Sequence, residues 1–355
     1  MTSISLLGRL EADSAALRLR LEGLTRQAST GRRTDAIGDL APQLPRALTL
    51  RGEIVRREAY GSAIGEALGR TAATGTALQR LASIAGEFAG GVAMKLDPND
   101  TGSLALVASR ARAAMVEVGQ LLNSQSNGEY LFGGSDFANP PVPDPEGLPA
   151  SGMARQVAGA VATLGGGNAA AVAAATKAAA MDDSAGVTPF SAFLSDPAGG
   201  LAEPRRSVPA GDGQAMAYGV PANRNGAVAS TGETTGSWAR DLLRGLASIA
   251  ALGPAQAAAP TDFRALADTI RQGLRSAANG LADEQGALGL AEQRLQAAQA
   301  RHATVTDTLK AQLADVEEVD LAATLTRLQA TRTALEASYT ALGNLGRLSL
   351  TSYLR

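Results

Sequence analysis

Cysteine is absent from the 355-residue chain, which excludes disulfides, thiolate metal sites and cysteine nucleophiles. It also leaves no thiol to oxidise outside a cell, which suits an exported protein. Aromatic residues make up 3% against 45% for the whole hydrophobic set, in which Ala and Leu dominate. Such a core suits long helices lying close together rather than a thick globular interior. Neither sign of charge prevails: Lys and Arg number 32, Asp and Glu 34, so no basic field invites nucleic acid. Lysine occurs three times (Lys95, Lys177, Lys310), which reflects codon bias rather than function. No window reaches the roughly 18 apolar residues of a membrane span. The start, Met1–Arg9, lacks the form of a secretory signal, because Arg9, Glu11 and Asp13 interrupt any apolar run.

What is present is heptad patterning at both ends. Leu7, Leu21 and Ala28 lie at seven-residue spacing with Ser14 in the gap, and Leu10, Leu17 and Leu24 form a second row. Near the other end Leu321, Leu328, Leu335 and Leu342 repeat every seven residues, with Leu325, Tyr339 and Leu345 beside them. Each stripe is too narrow to be stable alone, so each needs a partner helix: the other end, or the same segment of a neighbouring subunit. The core of an ordinary antiparallel bundle explains the same leucines.

Further helices are expected over 46–94, Leu104–Leu122, 238–251 and 262–319, with a turn at Asp97–Asp100 and breaks at Pro254 and Pro260. Residues 138–237 differ in kind, holding ten of the fifteen prolines. Within them lie an Ala-rich helix candidate (Asn168–Met181) and a hairpin pattern, Arg206–Val208 with Ala215–Val220, around Gly211-Asp-Gly213. The expected fold class is therefore mainly α. It is a long antiparallel helical rod built from the N- and C-terminal segments, with a small α+β domain inserted at the tip. The expected domains are 1–45 with 319–355, 46–137 with 238–318, and 138–237.

Four local patterns resemble the flagellin family, most closely its hook-associated junction branch. They are Leu24-Thr-Arg-Gln-Ala-Ser-Thr-Gly-Arg-Arg33; Gly75–Ile84 with its Leu-Gln-Arg; Leu122-Asn-Ser-Gln-Ser-Asn-Gly-Glu-Tyr-Leu-Phe-Gly-Gly-Ser135 leading into Pro140-Pro-Val142; and Val319–Tyr339 closing with Leu348–Leu354. The likeness covers roughly 1–140 and 240–355. It departs from the family after Gly31, where Asp35 and Asp39 only approximate an acidic pair.

The resemblance implies a flagellin-like rod whose terminal helices form an inner tube, with 138–237 facing outward. It implies export through the flagellar type III channel and folding at the growing tip, so that assembly offsets the cost of ordering the ends. The implied partners are copies of itself, a neighbouring hook-associated protein, flagellin, the export apparatus and an export chaperone, with no cofactor. The expected assembly residues are Leu7, Leu10, Leu17, Leu21 and Leu24 against Leu321, Leu325, Leu328, Leu335, Leu342 and Leu345. Rival readings are a filament flagellin, a cytoplasmic coiled-coil scaffold, and an enzyme sited in 138–237, which holds neither histidine nor cysteine.

The remaining candidates have plain readings. His302, the only histidine, reads as a solvated helix residue beside Arg301. The acidic run Asp315, Glu317, Glu318 and Asp320 lacks the pattern of a calcium loop and reads as a solvated surface or N-cap region. Gly165–Gly167 reads as a turn, and the Asn99-Asp-Thr101 triplet as turn chemistry. Trp238 anchors the return from the insert into the helices, and Tyr130 and Phe132 pack its base.

Overall fold

The computed structural model describes residues 2–34, 42–226 and 232–353, with side chains over 8–344 of that set. Asp35 and Asp39 lie outside the described residues. The chain is mainly α, with two small antiparallel hairpins. Ten helices are labelled in order: α1 (Thr2–Thr30), α2 (Leu44–Gly86), α3 (Thr101–Leu122), α4 (Gly152–Ala162), α5 (Ala169–Met181), α6 (Ala192–Ser195), α7 (Trp238–Ala251), α8 (Pro254–Ala257), α9 (Pro260–Glu317) and α10 (Leu321–Tyr353). The strands are β1 (Gln125–Ser126) with β2 (Glu129–Tyr130), and β3 (Ser207–Gly211) with β4 (Gln214–Ala217). Two compact units result: residues 1–59 with 302–355, and residues 60–301.

In the unit 60–301 one core runs from α2 and α3 through α4 and α5 to α7 and the first part of α9. Side chains from 138–237, among them Leu148, Met153 and Phe190, belong to that same core. At its centre lies α7, buried on every side from Trp238 to Ile249. Ser237 caps it, accepting from the Arg240 amide, and Gly245 lets it approach α9: a Cβ there would stand 2.5 Å from a Leu274 methyl. Trp238 is fully buried, edge-on to Phe132 with ring centroids 6.2 Å apart.

A helix buried all round must satisfy its polar side chains inside the protein. Arg244 donates to the carbonyl of Ala173 (2.9 Å), the hydroxyl of Thr176 (3.1 Å) and the carboxylate of Glu233 (3.1 Å). Arg240 donates to the Ala180 carbonyl (3.0 Å) and to Asp183 (2.5 Å). Arg240 thus covers a carbonyl in the last turn of α5, where the helix dipole favours a cation, and Arg244 reaches the middle of the same helix at Ala173 and Thr176. Burial pushes the Asp241 carboxyl up, partly offset by hydrogen bonds from Thr234 and Thr235. Glu284 has no exposed side-chain surface and accepts from Arg205 and from the Gly226 amide (2.6 Å).

The hairpins follow from their turns. Asn127 (φ 54°) and Gly128 (φ 79°) join β1 to β2, a two-residue link requiring positive φ at both positions. The β3–β4 hairpin buries Val208, Ala210 and nearby Tyr218 against Ile64 and Ala67 of α2 and Leu295 and Ala298 of α9. Glu129 lies between Arg70 (2.6 Å) and Arg206 (2.9 Å). Burial raises its pKa, but the two guanidiniums outweigh it and hold the carboxyl below the ordinary glutamate range.

Candidate assembly interface

Each long helix of the unit 1–59 with 302–355 has a local reason to start or stop. Asp320 caps α10, its Oδ1 accepting from the Ala323 amide at 3.0 Å. Gly31 ends α1 at φ +70°, its amide still donating to the Gln27 carbonyl at 2.9 Å. Between α2 and α9, Ala47, Leu50 and Val316 are buried with Leu309 and Leu313 beside them. Arg51 holds Glu317 in a two-bond fork, 2.9 Å for each bond, which raises the Arg51 pKa.

Helices α1 and α10 pack together antiparallel, with Ser14 against Ser338 and Arg32 paired with Glu318. On α1 the inward stripe runs Leu10, Ser14, Leu17, Leu21, Leu24 and Ala28. On α10 it runs Thr324, Leu328, Thr331, Leu335, Ser338 and Leu342. Leu24 (9% exposed) and Leu335 (8%) are the buried leucines of the pair, while Leu10, Leu17, Leu21, Leu328 and Leu342 are half-buried. Leu321 (49%) and Leu325 (53%) stand outside the intrachain seam, as does Leu19 (71%) on α1. Leu7 and Leu345 lie on the helices, and their side chains fall outside those described.

The pair is therefore apolar in alternate layers only. Ser14, Thr324 and Thr331 are buried. Their hydroxyls are satisfied locally where they turn back on their own helices: Ser14 donates to the Leu10 carbonyl (2.7 Å) and Thr331 to that of Arg327 (2.8 Å). Arg18 donates to the Tyr339 hydroxyl and lies 5.1 Å from the ring centre, on the outer edge of the pair. A seam with hydroxyls in every second layer buries less apolar surface than an all-leucine one, and so binds more weakly.

The acidic run 315–320 is structural. Asp320 is the cap of α10, Glu317 is held by Arg51, and the backbone of 315–319 meets the end of the Ser29-Thr-Gly-Arg-Arg33 run. His302 corrects the sequence expectation, being 7% exposed rather than solvated. It sits on the inward stripe of α9, in the heptad row Leu281, Leu288, Leu295, His302, Leu309 and Val316. Gly165, Gly166 and Gly167 all take positive φ in a turn, where the Gly167 amide donates to Asp262 at 2.9 Å. Among the described residues no helix is long and apolar enough to cross a membrane.

Residues 272–354 match the bacterial flagellin C-terminal helical region. The match takes in most of α9 and all of α10 up to its end, hence one whole side of the α1–α10 seam. It supports the flagellin family and a structural flagellar role. No curated protein matches the chain. The α10 side of the hydroxyl and leucine layers, the Asp320 cap and the acidic joint all fall inside the matched residues.

Proposed function

We propose that the chain is a hook-associated subunit of the bacterial flagellum that joins hook to filament, assembling through α1 and α10. The observation that carries this is the incompletely covered helix pair. Its inner seam is leucine in alternate layers only, while Leu19, Leu321 and Leu325 stand on the outside. A neighbour's terminal helices would cover those leucines and complete the burial a single chain leaves unfinished. In this reading residues 1–45 with 319–355 line the tube, 46–137 with 238–318 form the adjoining helices, and 138–237 faces outward. The partners are copies of this chain, a neighbouring hook-associated protein and flagellin. The chain reaches them, outside the cell, through the flagellar export apparatus with a chaperone.

The role is assembly rather than catalysis. Preference for the junction over the filament rests on the Asn127-Gly128 hairpin, the Tyr130–Ser135 exit and Pro140-Pro141, which resemble the junction branch. Deletion of the gene, viewed by electron microscopy, tests the proposal. Hooks that lack filaments while flagellin collects in the medium support it. Normal filaments on the deletion strain refute it, and thousands of copies along the filament would reassign the chain as a filament flagellin.

A further inference from the structure

The inward rows of α1 and α10 do not by themselves set a register, and the one side contact that differs between registers, Arg18 with Tyr339, is exposed. Leu10, Leu17 and Leu24 repeat every seven residues, as do Leu328, Leu335 and Leu342, so a slide by one heptad still puts leucine layers against leucine layers. In coiled coils such degeneracy is broken by a group that has a partner in one register only. Here the polar layers repeat as well, with Thr324, Thr331 and Ser338 spaced by seven. Something outside the stripe must choose.

That choice has a structural basis at the joint between α9 and α10, which consists of Glu318–Asp320 alone. The last turn of a helix leaves carbonyls with no intrahelical donor. Arg33 supplies donors: its Nη2 to the Asp315 carbonyl (2.9 Å) and its Nε to the Glu318 carbonyl (2.9 Å). Its backbone amide donates to the Glu317 carbonyl at 2.8 Å, and the Val319 amide donates back to Gly31 at 2.9 Å. Gln27, in the last turn of α1, donates to the Arg33 carbonyl at 2.9 Å. The end of α1, the end of α9 and the entry to α10 thus meet at Arg33, whose guanidinium holds the Asp315 and Glu318 carbonyls while its backbone holds Glu317 and Gln27. Its charge is favourable at a helix C-terminus, and its planar fork reaches two carbonyls at once.

We propose that Arg33 is a positioning residue that couples docking of α1 to closure of the α9–α10 joint, and thereby fixes the register in which α1 and α10 pair. With Arg33 seated, α1 departs from a fixed point at Gly31, and Ser14 is delivered to Ser338 rather than to Thr331 or residue 345. Without its side chain the Asp315 and Glu318 carbonyls lose their guanidinium donor, only the backbone bridge still ties the three-residue joint to α1, and registers one heptad apart come closer in stability. The inference deepens the assembly reading and concerns the geometry of the pair offered to neighbours. Its test on the purified chain stands apart from the genetic one.

The absence of native cysteine makes the register directly readable. Ser14→Cys with Ser338→Cys reports the register seen here, where the two hydroxyl oxygens are 2.8 Å apart. Ser14→Cys with Thr331→Cys reports a slide of one heptad, ~10 Å along the helix. Each purified pair is oxidised with glutathione disulfide, and the intramolecular bond is read as a mobility shift on a non-reducing gel. In the parent chain the first pair should close at least about tenfold faster than the second, the preference of a single register. Arg33→Ala should reduce that preference to within about twofold, and Arg33→Lys should not restore it, because one ammonium cannot span both carbonyls. Arg32→Ala, which leaves the backbone bridge in place, should keep it. Trp238 fluorescence, from the other unit, verifies that each variant is folded. A parent chain without preference, or an Arg33→Ala chain that keeps it, overturns the proposal.

Discussion

Ser14 and Ser338 face each other across the α1–α10 seam with hydroxyl oxygens 2.8 Å apart, where a coiled coil built for strength would place two aliphatic side chains. With Thr324 and Thr331, both buried, they make every second layer of the pair polar. The arrangement limits the free energy that one chain gains by pairing its own ends.

Replacing the hydroxyl layers should therefore strengthen the pair at the wrong time. Thr324→Val and Thr331→Val keep the shape of the side chain and remove a buried hydroxyl, a gain of about 0.5–1 kcal/mol each. The double variant should be more helical by far-ultraviolet circular dichroism. It should also sediment as larger species at concentrations where the parent is monomeric. A monomeric variant with unchanged helicity would show that the hydroxyl layers do not limit association.

The opposite change should abolish assembly. Leu17 and Leu328 are half-buried on facing stripes, and an aspartate at each places two like charges in the seam at a combined cost of about 3–5 kcal/mol. Leu17→Asp with Leu328→Asp should eliminate incorporation into the flagellum. Trp238, fully buried in the unit 60–301, should keep the fluorescence of the parent. Incorporation at parental levels would remove the seam from the assembly mechanism.

In the unit 60–301 the most demanding single group is Glu284, with no exposed side-chain surface and with Arg205 and the Gly226 amide as donors. Truncation leaves those donors without their acceptor inside the protein, so Glu284→Ala should destabilise the unit by about 3–5 kcal/mol. Glu284→Gln, which keeps an acceptor oxygen, should cost less. Urea unfolding followed through Trp238 separates the two.

The long helices, the β3–β4 hairpin and the Ala-rich α5 are legible because each depends on local signals: heptad spacing, Pro and Gly punctuation, and turn residues; α4, inside the proline-rich 138–237, is not among the expected helices. The facing of α10 is not legible either. Its leucines at 321, 328, 335 and 342 suggest one stripe. The structure turns the helix so that Thr324, Thr331 and Ser338 share the seam with Leu328, Leu335 and Leu342, leaving Leu321 and Leu325 outside. Hydropathy alone ranks a threonine below a leucine and so misplaces the stripe. His302 stands in the heptad row Leu281, Leu288, Leu295, His302, Leu309 and Val316, whose apolar neighbours mark the position as inward despite its polar side chain. Nothing local marks Arg240 and Arg244 for burial, because their partners at Ala173, Thr176 and Ala180 belong to a helix some 60 residues earlier. Arg33 is likewise joined to Asp315 and Glu318 only by the fold.

Two carboxylates of the unit 60–301 give opposite pH signatures. Asp241 has a raised pKa, caused first by burial, so the stability tied to its protonated form is complete below the ordinary aspartate range and is lost as pH rises through the raised value. Asparagine imitates the protonated acid, so the melting temperature of the parent minus that of Asp241→Asn should fall as pH increases. Glu129 has a lowered pKa: burial opposes the shift, but Arg206 and Arg70 exceed it. Its contribution is complete above the ordinary glutamate range and is lost as pH falls through the lowered value, so the parent minus Glu129→Gln should grow with pH. Thermal melts from pH 3 to 8 on the parent and both variants separate the two curves. Slopes of the same sign for the two substitutions would show that the arginine pair does not govern Glu129, leaving burial as the dominant influence on both carboxylates.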